Sequence, residues 1–249
     1  MGFLFFAIGA TAQTTNTLSD AEIQGQQLVQ KILAQWPTEN FTNTGVLQIR
    51  GGKGTRLEIP VECQTVVTAT NWQTIYKASW TNMIEKLWVM HANDQSNSYF
   101  SDTNDPVPVP GDIPILGNLF PGRHKLSDAE ITTPFAGSDF LIADLGLEFF
   151  HWPSQKVLKK EVHRSRGCTV LESTNPNPSP NGYSRVASWI DNESLGIVEA
   201  YAYDANGKLL KDFYPKDFKK VDGQWQVQTL VMENVQTGSR SRLEFDLKK

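Results

Sequence analysis

The sequence predicts a mainly β protein, in which a curved antiparallel sheet is accompanied by a few helices. The first observation is a series of seven short strand-like runs between residues 156 and 247. The second is the tight-turn chemistry between those runs, and the third is a two-residue hydrophobic alternation in the first half of the chain. Short, regularly spaced strands joined by tight turns are typical of an antiparallel meander.

The second half of the chain is predicted to be one short helix followed by strands. The helical run is Phe140–Leu145, and Ser138 or Asp139 can cap its first turn. The predicted strands are Lys156–Ser165, Cys168–Ser173, Gly182–Asp191, Gly196–Asp204, Lys208–Phe218, Trp225–Met232 and Arg240–Leu247. The turns between them are Arg166-Gly167, Asn181-Gly182, Ala205-Asn206-Gly207, Asp222-Gly223 and Thr237-Gly238.

The first half is predicted to begin with an amphipathic helix. Ser19 and Glu22 form a capping box at its start, and Pro37 ends it. Its apolar stripe must pack on another element, since the opposite face is polar. The stripe consists of Ile23, Val29, Ile32, Leu33 and Trp36.

A hairpin with one apolar face is predicted after this helix. Leu47 and Ile49 alternate with polar residues, and the glycine turn Gly51–Gly54 reverses the chain. The alternation resumes in the second strand at Leu57, Ile59, Val61 and Cys63. Further strands are predicted at Val66–Thr70, Gln73–Ala78, Ile84–His91 and Ser98–Phe100.

A proline-rich segment, Asp102–Lys125, separates the two halves of the sheet. Its prolines exclude a long helix or a central strand. The apolar stretch Ile113–Phe120 within it indicates a flap over the open side of the sheet, with Ile115, Leu116 and Phe120 as lid residues. The alternative is a surface linker that these three side chains anchor to the core.

Residues 1–12 have the pattern of a signal peptide. The apolar run Gly2–Gly9 precedes Ala10-Thr11-Ala12, an A-x-A cleavage pattern that predicts a mature chain from Gln13. The usual positive segment is missing, which indicates a truncated signal; a short buried helix is the alternative. We therefore expect one domain at 13–249, exported to the periplasm as a soluble protein.

The net charge and the two cysteines bear on the partners and on the stability of the protein. The net charge of −4 provides no basic surface, so no nucleic-acid partner is expected. A disulfide between Cys63 and Cys168 would close a loop of about 105 residues and stabilise the fold by about 4–5 kcal/mol. Two buried free thiols are the alternative, because unpaired cysteine is one of the most buried residue types.

The sequence shows no recognisable catalytic motif: G-x-S-x-G, C-x-x-C, H-E-x-x-H and G-x-G-x-x-G are all missing. His151 and His163 are near in sequence, but a metal site needs three or four convergent ligands. We expect no metal, no cofactor and no enzymatic activity. An enzyme acting on lipid-like substrates would have to use a carboxylate such as Asp139, Asp144 or Glu161.

The second half of the chain also carries an ordered set of short motifs. They are Pro134–Phe140 with Asp144-Leu145, Cys168–Glu172 with Pro176, Tyr183–Val186, Trp189–Asp191, Asp204–Gly207 with Lys211, and Lys220–Trp225. In this order they resemble the LolA-like outer-membrane lipoprotein-sorting proteins. The resemblance implies an unclosed antiparallel β half-barrel, with an N-terminal helix and lid helices over its concave face, that carries acyl chains through the periplasm.

An acyl carrier needs an apolar groove rather than catalytic residues. Burying a methylene is worth about 0.8 kcal/mol, so a chain of about sixteen carbons gains on the order of 10 kcal/mol before costs. The predicted lining is Leu47, Ile49, Leu57, Ile59, Val61, Trp72, Tyr183, Trp189, Tyr201 and Trp225. The predicted lids are the segment Ile113–Phe120 and the helix Phe140–Leu147, which includes Phe140 as a lid residue.

The predicted function is a monomeric carrier that moves lipid or lipoprotein acyl chains towards the outer membrane. Its expected partners are those chains and a membrane-embedded transporter or an acceptor lipoprotein, because a deeply buried chain escapes slowly into water. The alternative is a sensor or scaffold on the same fold, in which the cavity reports a lipid and the output is contact with a regulated partner.

Overall fold

The computed structural model describes residues 18–52, 54–80, 83–92, 96–102, 123–221 and 223–247. The strands within them are β1 (Phe41–Arg50), β2 (Arg56–Val67), β3 (Asn71–Trp80), β4 (Met83–Ala92), β5 (Ser98–Asp102), β6 (Arg123–Lys125), β7 (Ser154–His163), β8 (Arg166–Thr174), β9 (Arg185–Asp191), β10 (Ile197–Tyr203), β11 (Leu209–Val221), β12 (Gln224–Asn234) and β13 (Ser239–Phe245). The helices are α1 (Asp20–Leu33) and α2 (Ile142–Leu145), with 3-10 turns at Phe135–Gly137 and Glu148–His151. Every helix in these ranges is too short or too polar to cross a lipid bilayer.

All of these strands belong to one antiparallel sheet, in the order β6-β5-β4-β3-β2-β1-β13-β12-β11-β10-β9-β8-β7. The central pair, β1 and β13, joins two meanders, one built from the first half of the chain and one from the second. The outermost strands of the order, β6 and β7, do not pair with each other, so the sheet stays unclosed. The structure is therefore the mainly β half-barrel that the sequence predicts.

The hydrophobic alternation of the first half fixes the register at the centre of the sheet. Leu47 of β1 lies opposite Ile59 of β2 on one side and Leu243 of β13 on the other. All three side chains are buried and point to the face that α2 and the 3-10 turns cover, which we call the inner face. A shift by one residue would turn all of them to the opposite, outer face, so burial specifies this register.

The capping box of α1 forms as predicted. The Ser19 hydroxyl oxygen accepts a hydrogen bond from the Glu22 amide, and the Glu22 carboxylate accepts one from the Ser19 amide at 2.8 Å. The helix ends at Leu33, ahead of Pro37. Its apolar side then packs on the second-half strands of the sheet.

The turn predicted after β7 is shifted by two residues. Arg164 and Ser165 form it with φ angles of 47° and 65°, while Arg166 and Gly167 belong to β8. A glycine was expected at the turn because positive φ is costly for other residues, but the chain places two non-glycine residues there. The strand predicted at 66–70 is likewise absent as a separate element, since β2 continues to Val67.

The helix predicted at 140–145 is a single turn, Ile142–Leu145. Neither Ser138 nor Asp139 caps it. The Asp144 carboxylate instead accepts a hydrogen bond from the Leu141 amide at 2.7 Å, which satisfies the start of the helix from within.

The inner face carries two buried clusters. The first joins the central strands to the segment before α2 and contains Leu47, Ile59, Val61, Ala78, Leu87, Val89, Tyr99, Phe135, Ala136, Phe140, Ile142, Met232 and Leu243. The second joins α1 to the strands of the second half and contains Val29, Leu141, Phe149, Phe150, Leu171, Tyr183, Val186, Ile190, Ala200 and Ala202. Cys63 and Cys168 are buried free thiols, and burial raises the pKa of Cys63 to about 12.

Candidate functional site

An apolar cavity of about 860 Å³ lies on the inner face, between the last turn of α1, the segment around α2 and the sheet. This volume falls within the ~300–1,000 Å³ of small-molecule binding sites. Its apolar lining includes Ile32, Leu33, Trp36, Trp72, Phe140, Leu145, Leu147, Phe150, Leu195, Ile197, Phe213, Val227 and Leu230. The unclosed sheet therefore holds a space that is large and apolar enough for a hydrocarbon chain.

A β-bulge brings two side chains of β12 into this lining. Leu230 lies opposite Pro215, and Val227 lies opposite Phe218, with the register shifting twice between these pairs. Residues three apart on a regular strand face opposite sides of the sheet, but the bulge turns both Leu230 and Val227 to the cavity. The β11–β12 hairpin thus contributes an apolar wall near its tip.

A buried polar network ties the cover of the cavity to the sheet. The two carboxylate oxygens of Asp139 accept hydrogen bonds from Ser239 at 2.5 Å and from Ser241 at 2.8 Å, both on β13. The Lys211 ammonium group of β11 donates a hydrogen bond to the backbone oxygen of Asp139. These contacts fix the chain immediately before α2 over the central strands.

Asp144 connects the same cover to the second half of the sheet. Its carboxylate accepts a hydrogen bond from the Tyr183 hydroxyl at 2.9 Å, in addition to the one from the Leu141 amide. Burial raises the pKa of Asp144, and the charge of Lys211 opposes that rise. Burial also lowers the pKa of Lys211, while Asp144 and Asp139 oppose the change. The charged forms of Lys211, Asp139 and Asp144 therefore stabilise one another inside the protein.

A second cavity of about 500 Å³ adjoins the first. The residues that line both are Ser96, Asn97, Asp144 and His151. Beside this junction Glu148 accepts hydrogen bonds from the Tyr99 hydroxyl at 2.9 Å and from the Asn97 amide at 3.0 Å. The junction is therefore the polar corner of an otherwise apolar space.

Stability should depend on pH through Glu148. Burial raises its pKa from 4.5 to about 7, although the hydrogen bonds from Tyr99 and Asn97 act in the opposite direction. Between pH 4.5 and pH 7 the Glu148 carboxyl group keeps its proton in the folded protein but releases it in the unfolded chain. The protonated carboxyl group therefore stabilises the fold at low pH, and this stabilisation is lost as the pH rises towards 7. Glu148→Gln should remove it, and the stability of the variant relative to the unaltered protein should rise by about 2 kcal/mol between pH 5 and pH 7.5. Urea unfolding at several pH values measures this, and parallel pH curves for the two proteins would contradict it.

Most of the predicted aliphatic lining residues belong to the packed core of the inner face. Leu47, Ile59 and Val61 are part of the first buried cluster, and Ile49 packs against it. The next predicted position, Leu57, is 43% exposed.

Two of the predicted aromatic residues do reach the cavities. Trp72 lines the 860 Å³ cavity, and Tyr183 lines the adjoining one. Phe140, predicted as a lid residue, is buried in the first cluster and also lines the larger cavity. The lid residues Ile115, Leu116 and Phe120, like the signal peptide at 1–12, lie outside the described residues.

Three predicted aromatic residues do not line the cavities. Trp189 and Tyr201 lie on the outer face, with ring centroids 5.0 Å apart, and the Trp189 indole donates a hydrogen bond to Glu161 at 2.7 Å. Val186 and Ile190 take the inward positions of β9, so Trp189 must point outward. Trp225 is 71% exposed near the tip of the β11–β12 hairpin.

The carboxylates considered for catalysis do not share one site. Asp139 is buried and Asp144 is half-buried in the cover of the inner face, whereas Glu161 is on the outer face beside Lys159. His163 pairs with Glu199 on the outer face, whereas His151 lines the cavity on the inner face. Within the described ranges, no group of three or more His, Cys, Asp or Glu residues is placed to hold a metal ion.

Sequence reasoning missed the contribution of α1 and of Phe150. The last turn of α1 provides Ile32 and Leu33, while the predicted lid helix Phe140–Leu147 stops before Phe150, which also lines the cavity. Leu147 adopts a left-handed conformation, with φ at 50°, which the sequence gives no reason to expect. The apolar stripe of α1 was the one sequence feature that could have indicated this contribution, because the sequence analysis did not assign the surface on which the stripe packs.

A half-barrel with a helical cover and an apolar cavity on its inner face has the architecture of the LolA-like proteins. A DUF1329 family protein from Desulfovibrio piger is similar, with a TM-score of 0.70 and 17% identity over 92% of each chain. A putative outer membrane lipoprotein-sorting protein domain from Vibrio parahaemolyticus has a TM-score of 0.67 and 16% identity, over 91% of this chain and 92% of that one. A LolA superfamily protein from Nitrosomonas europaea has a TM-score of 0.60 and 14% identity, over 92% and 93%.

These comparisons confirm the resemblance predicted from the sequence, at the level of the fold. A protein-family model described as "Uncharacterized protein" matches residues 123–248, just over half of the chain, and the chain belongs to this family. The search of curated proteins finds no match.

Proposed function

We propose that this protein is a non-catalytic periplasmic carrier, with a mature chain of 13–249, that binds acyl chains of lipids or lipoproteins and transfers them towards the outer membrane. The observation that carries the proposal is the 860 Å³ apolar cavity on the inner face of an unclosed sheet. The A-x-A pattern at residues 10–12 and the fold shared with a lipoprotein-sorting domain support the location and the direction of transfer.

The physical basis of binding is burial without directional contacts. A twelve-carbon chain contributes on the order of 9 kcal/mol when its methylenes leave water, before the costs of association. The lining supplies aromatic and aliphatic side chains from α1, from the covering segment and from both halves of the sheet. An acyl chain can therefore be held by shape and apolar contact alone.

Hand-off to a membrane-embedded transporter or an acceptor lipoprotein also belongs to the proposal. Leu33 and Val227 line the cavity and are at the same time 37% and 36% exposed. Phe218 lies opposite Val227, and both Phe218 and Trp225 are exposed on the same hairpin. These exposed apolar side chains offer a leaving acyl chain apolar contacts at the rim of the cavity.

Leu230→Arg should weaken acyl binding at least tenfold, about 1.4 kcal/mol. The arginine would extend a charged side chain into the cavity and leave a guanidinium without a counter-ion beside the hydrocarbon. Displacement of the uncharged fluorophore N-phenylnaphthylamine by monolauroylglycerol measures the affinity. Native mass spectrometry of protein from its own host should also show a co-purified acyl lipid.

Gln226→Arg is the matched control for this substitution. It adds the same charge on the same strand, beside Val227 but at a position that does not line the cavity. We expect the control to bind as the unaltered protein does. Failure of the unaltered protein to bind any acyl compound would refute the carrier proposal, and equal binding by both variants would refute the assignment of the cavity.

A further inference from the structure

The polar corner of the larger cavity contains two buried atoms that lack hydrogen-bond partners. They are Nε2 of His91, on β4, and Oδ1 of Asn97, immediately before β5. Asn97 is 9% exposed, and its amide nitrogen is already committed to the backbone oxygen of Gly146 at 2.8 Å and to Glu148 at 3.0 Å. A buried polar atom without a partner is unfavourable, so this pair favours a bound polar group.

The His91 imidazole is held by ring stacking. Its imidazole stacks on the Trp72 indole, with ring centroids 3.7 Å apart and an angle of 14° between the planes. Trp72, His91 and Asn97 all line the larger cavity. The open nitrogen and the open oxygen are therefore held in place at its wall before any ligand enters.

The corner carries no positive charge at neutral pH. Burial lowers the pKa of His91 to about 4; interaction with the Asn97 side chain opposes this change, and the charge of His151 adds to it. Burial lowers the pKa of His151 as well. None of the described residues that line the larger cavity is lysine or arginine, and Lys125, which lines the adjoining cavity, is exposed.

These features select the chemistry of the head group. A carboxylate or phosphate would be buried beside Asp144, and the one buried cation near it, Lys211, already interacts with Asp144 and Asp139, so a further negative charge is unfavourable. A neutral imidazole, in the tautomer that carries its proton on Nε2, donates one hydrogen bond, and the amide oxygen of Asn97 accepts one. A hydroxyl group both accepts and donates, so it matches the two open atoms together.

We infer that the cavity selects acyl lipids with an uncharged, hydroxyl-bearing head group, such as an acylglycerol, and that His91 and Asn97 hold that hydroxyl. This inference rests on the proposed function, because it assigns a head-group site to the same cavity. The acyl chain occupies the apolar wall, while the hydroxyl lies at the junction of the two cavities.

The test compares three ligands with the same twelve-carbon chain on the full protein at pH 7.5. They are monolauroylglycerol, laurate and methyl laurate, each titrated against bound N-phenylnaphthylamine. We expect monolauroylglycerol to bind at least tenfold more tightly than laurate, which is charged. We also expect it to bind about fivefold more tightly than methyl laurate, which lacks the hydroxyl, in line with a single hydrogen bond.

His91→Phe should keep the flat stack on Trp72 and remove the donor, which reduces the preference over methyl laurate to less than twofold. His91→Gln should restore most of the preference, because glutamine carries a donor. Thr74→Val is the matched control, since it removes a hydroxyl from the same cavity wall without touching the corner, and it should leave the preference unchanged.

The outcomes separate the two proposals. If none of the three ligands binds, the carrier proposal fails. If they bind but laurate equals or exceeds monolauroylglycerol in the unaltered protein, or if His91→Phe keeps the full preference, the head-group site is wrong while the carrier proposal stands.

Discussion

Lys211→Met is expected to lower the free energy of unfolding by about 3–5 kcal/mol, because it leaves buried carboxylate charge without its counter-ion. The lysine is 5% exposed and donates a hydrogen bond to the backbone oxygen of Asp139, and its charge acts on Asp144 as well. The deficit should shrink as the pH falls, because a protonated Asp144 needs no counter-ion. Urea unfolding followed by circular dichroism at pH 5 and pH 8 measures both effects.

Two further variants distinguish loss of charge pairing from loss of packing. Lys208→Met removes an exposed lysine from the turn before the same strand and should change stability by less than about 0.5 kcal/mol. Adding Asp144→Asn to Lys211→Met should recover part of the loss, because the unpaired charge is then gone. If the double variant is less stable than Lys211→Met alone, the charge argument does not hold.

Much of the fold could be predicted because burial specifies it locally. Alternation around Leu47 and Ile59 fixed the inner face of the first hairpin, and the Ser19 capping box fixed the start of α1. Local sequence could not give the turn at Arg164-Ser165, since neither residue favours positive φ and the pairing of β7 with β8 holds them there. Nor could it show that β1 pairs with β13 at the centre of the sheet, because these strands are the first and the last along the chain.

The cavity was harder to predict than the sheet around it. Large aromatic residues suggested a lining, but a single step of alternation placed Trp189 and Tyr201 on the outer face. The β-bulge in the β11–β12 hairpin did the reverse and brought Val227 inward, away from the position that strict alternation gives. A site built from a helix end, an irregular cover and a bulge depends on tertiary packing that no sequence period records.

Gly25→Ala is expected to destabilise the protein by about 2–3 kcal/mol, although alanine is the better helix former by about 1 kcal/mol. A Cβ at Gly25 would lie 2.4 Å from the backbone oxygen of Gln155 and 2.7 Å from the amide nitrogen of Lys156. Both are backbone atoms of β7, so neither can move aside as a flexible side chain would. The helix α1 would have to shift away from the sheet and lose part of the packing around Val29.

Because the last turn of α1 lines the cavity, the same shift should weaken acyl binding as well as stability. Gln27→Ala, at an exposed position of the same helix, is the matched control and should leave stability equal or slightly higher. Chemical unfolding and displacement of N-phenylnaphthylamine are measured on both variants. A Gly25→Ala protein as stable as the Gln27→Ala control would show that α1 does not lie against β7 at this distance; one that is destabilised but binds normally would show that the position of α1 does not shape the cavity.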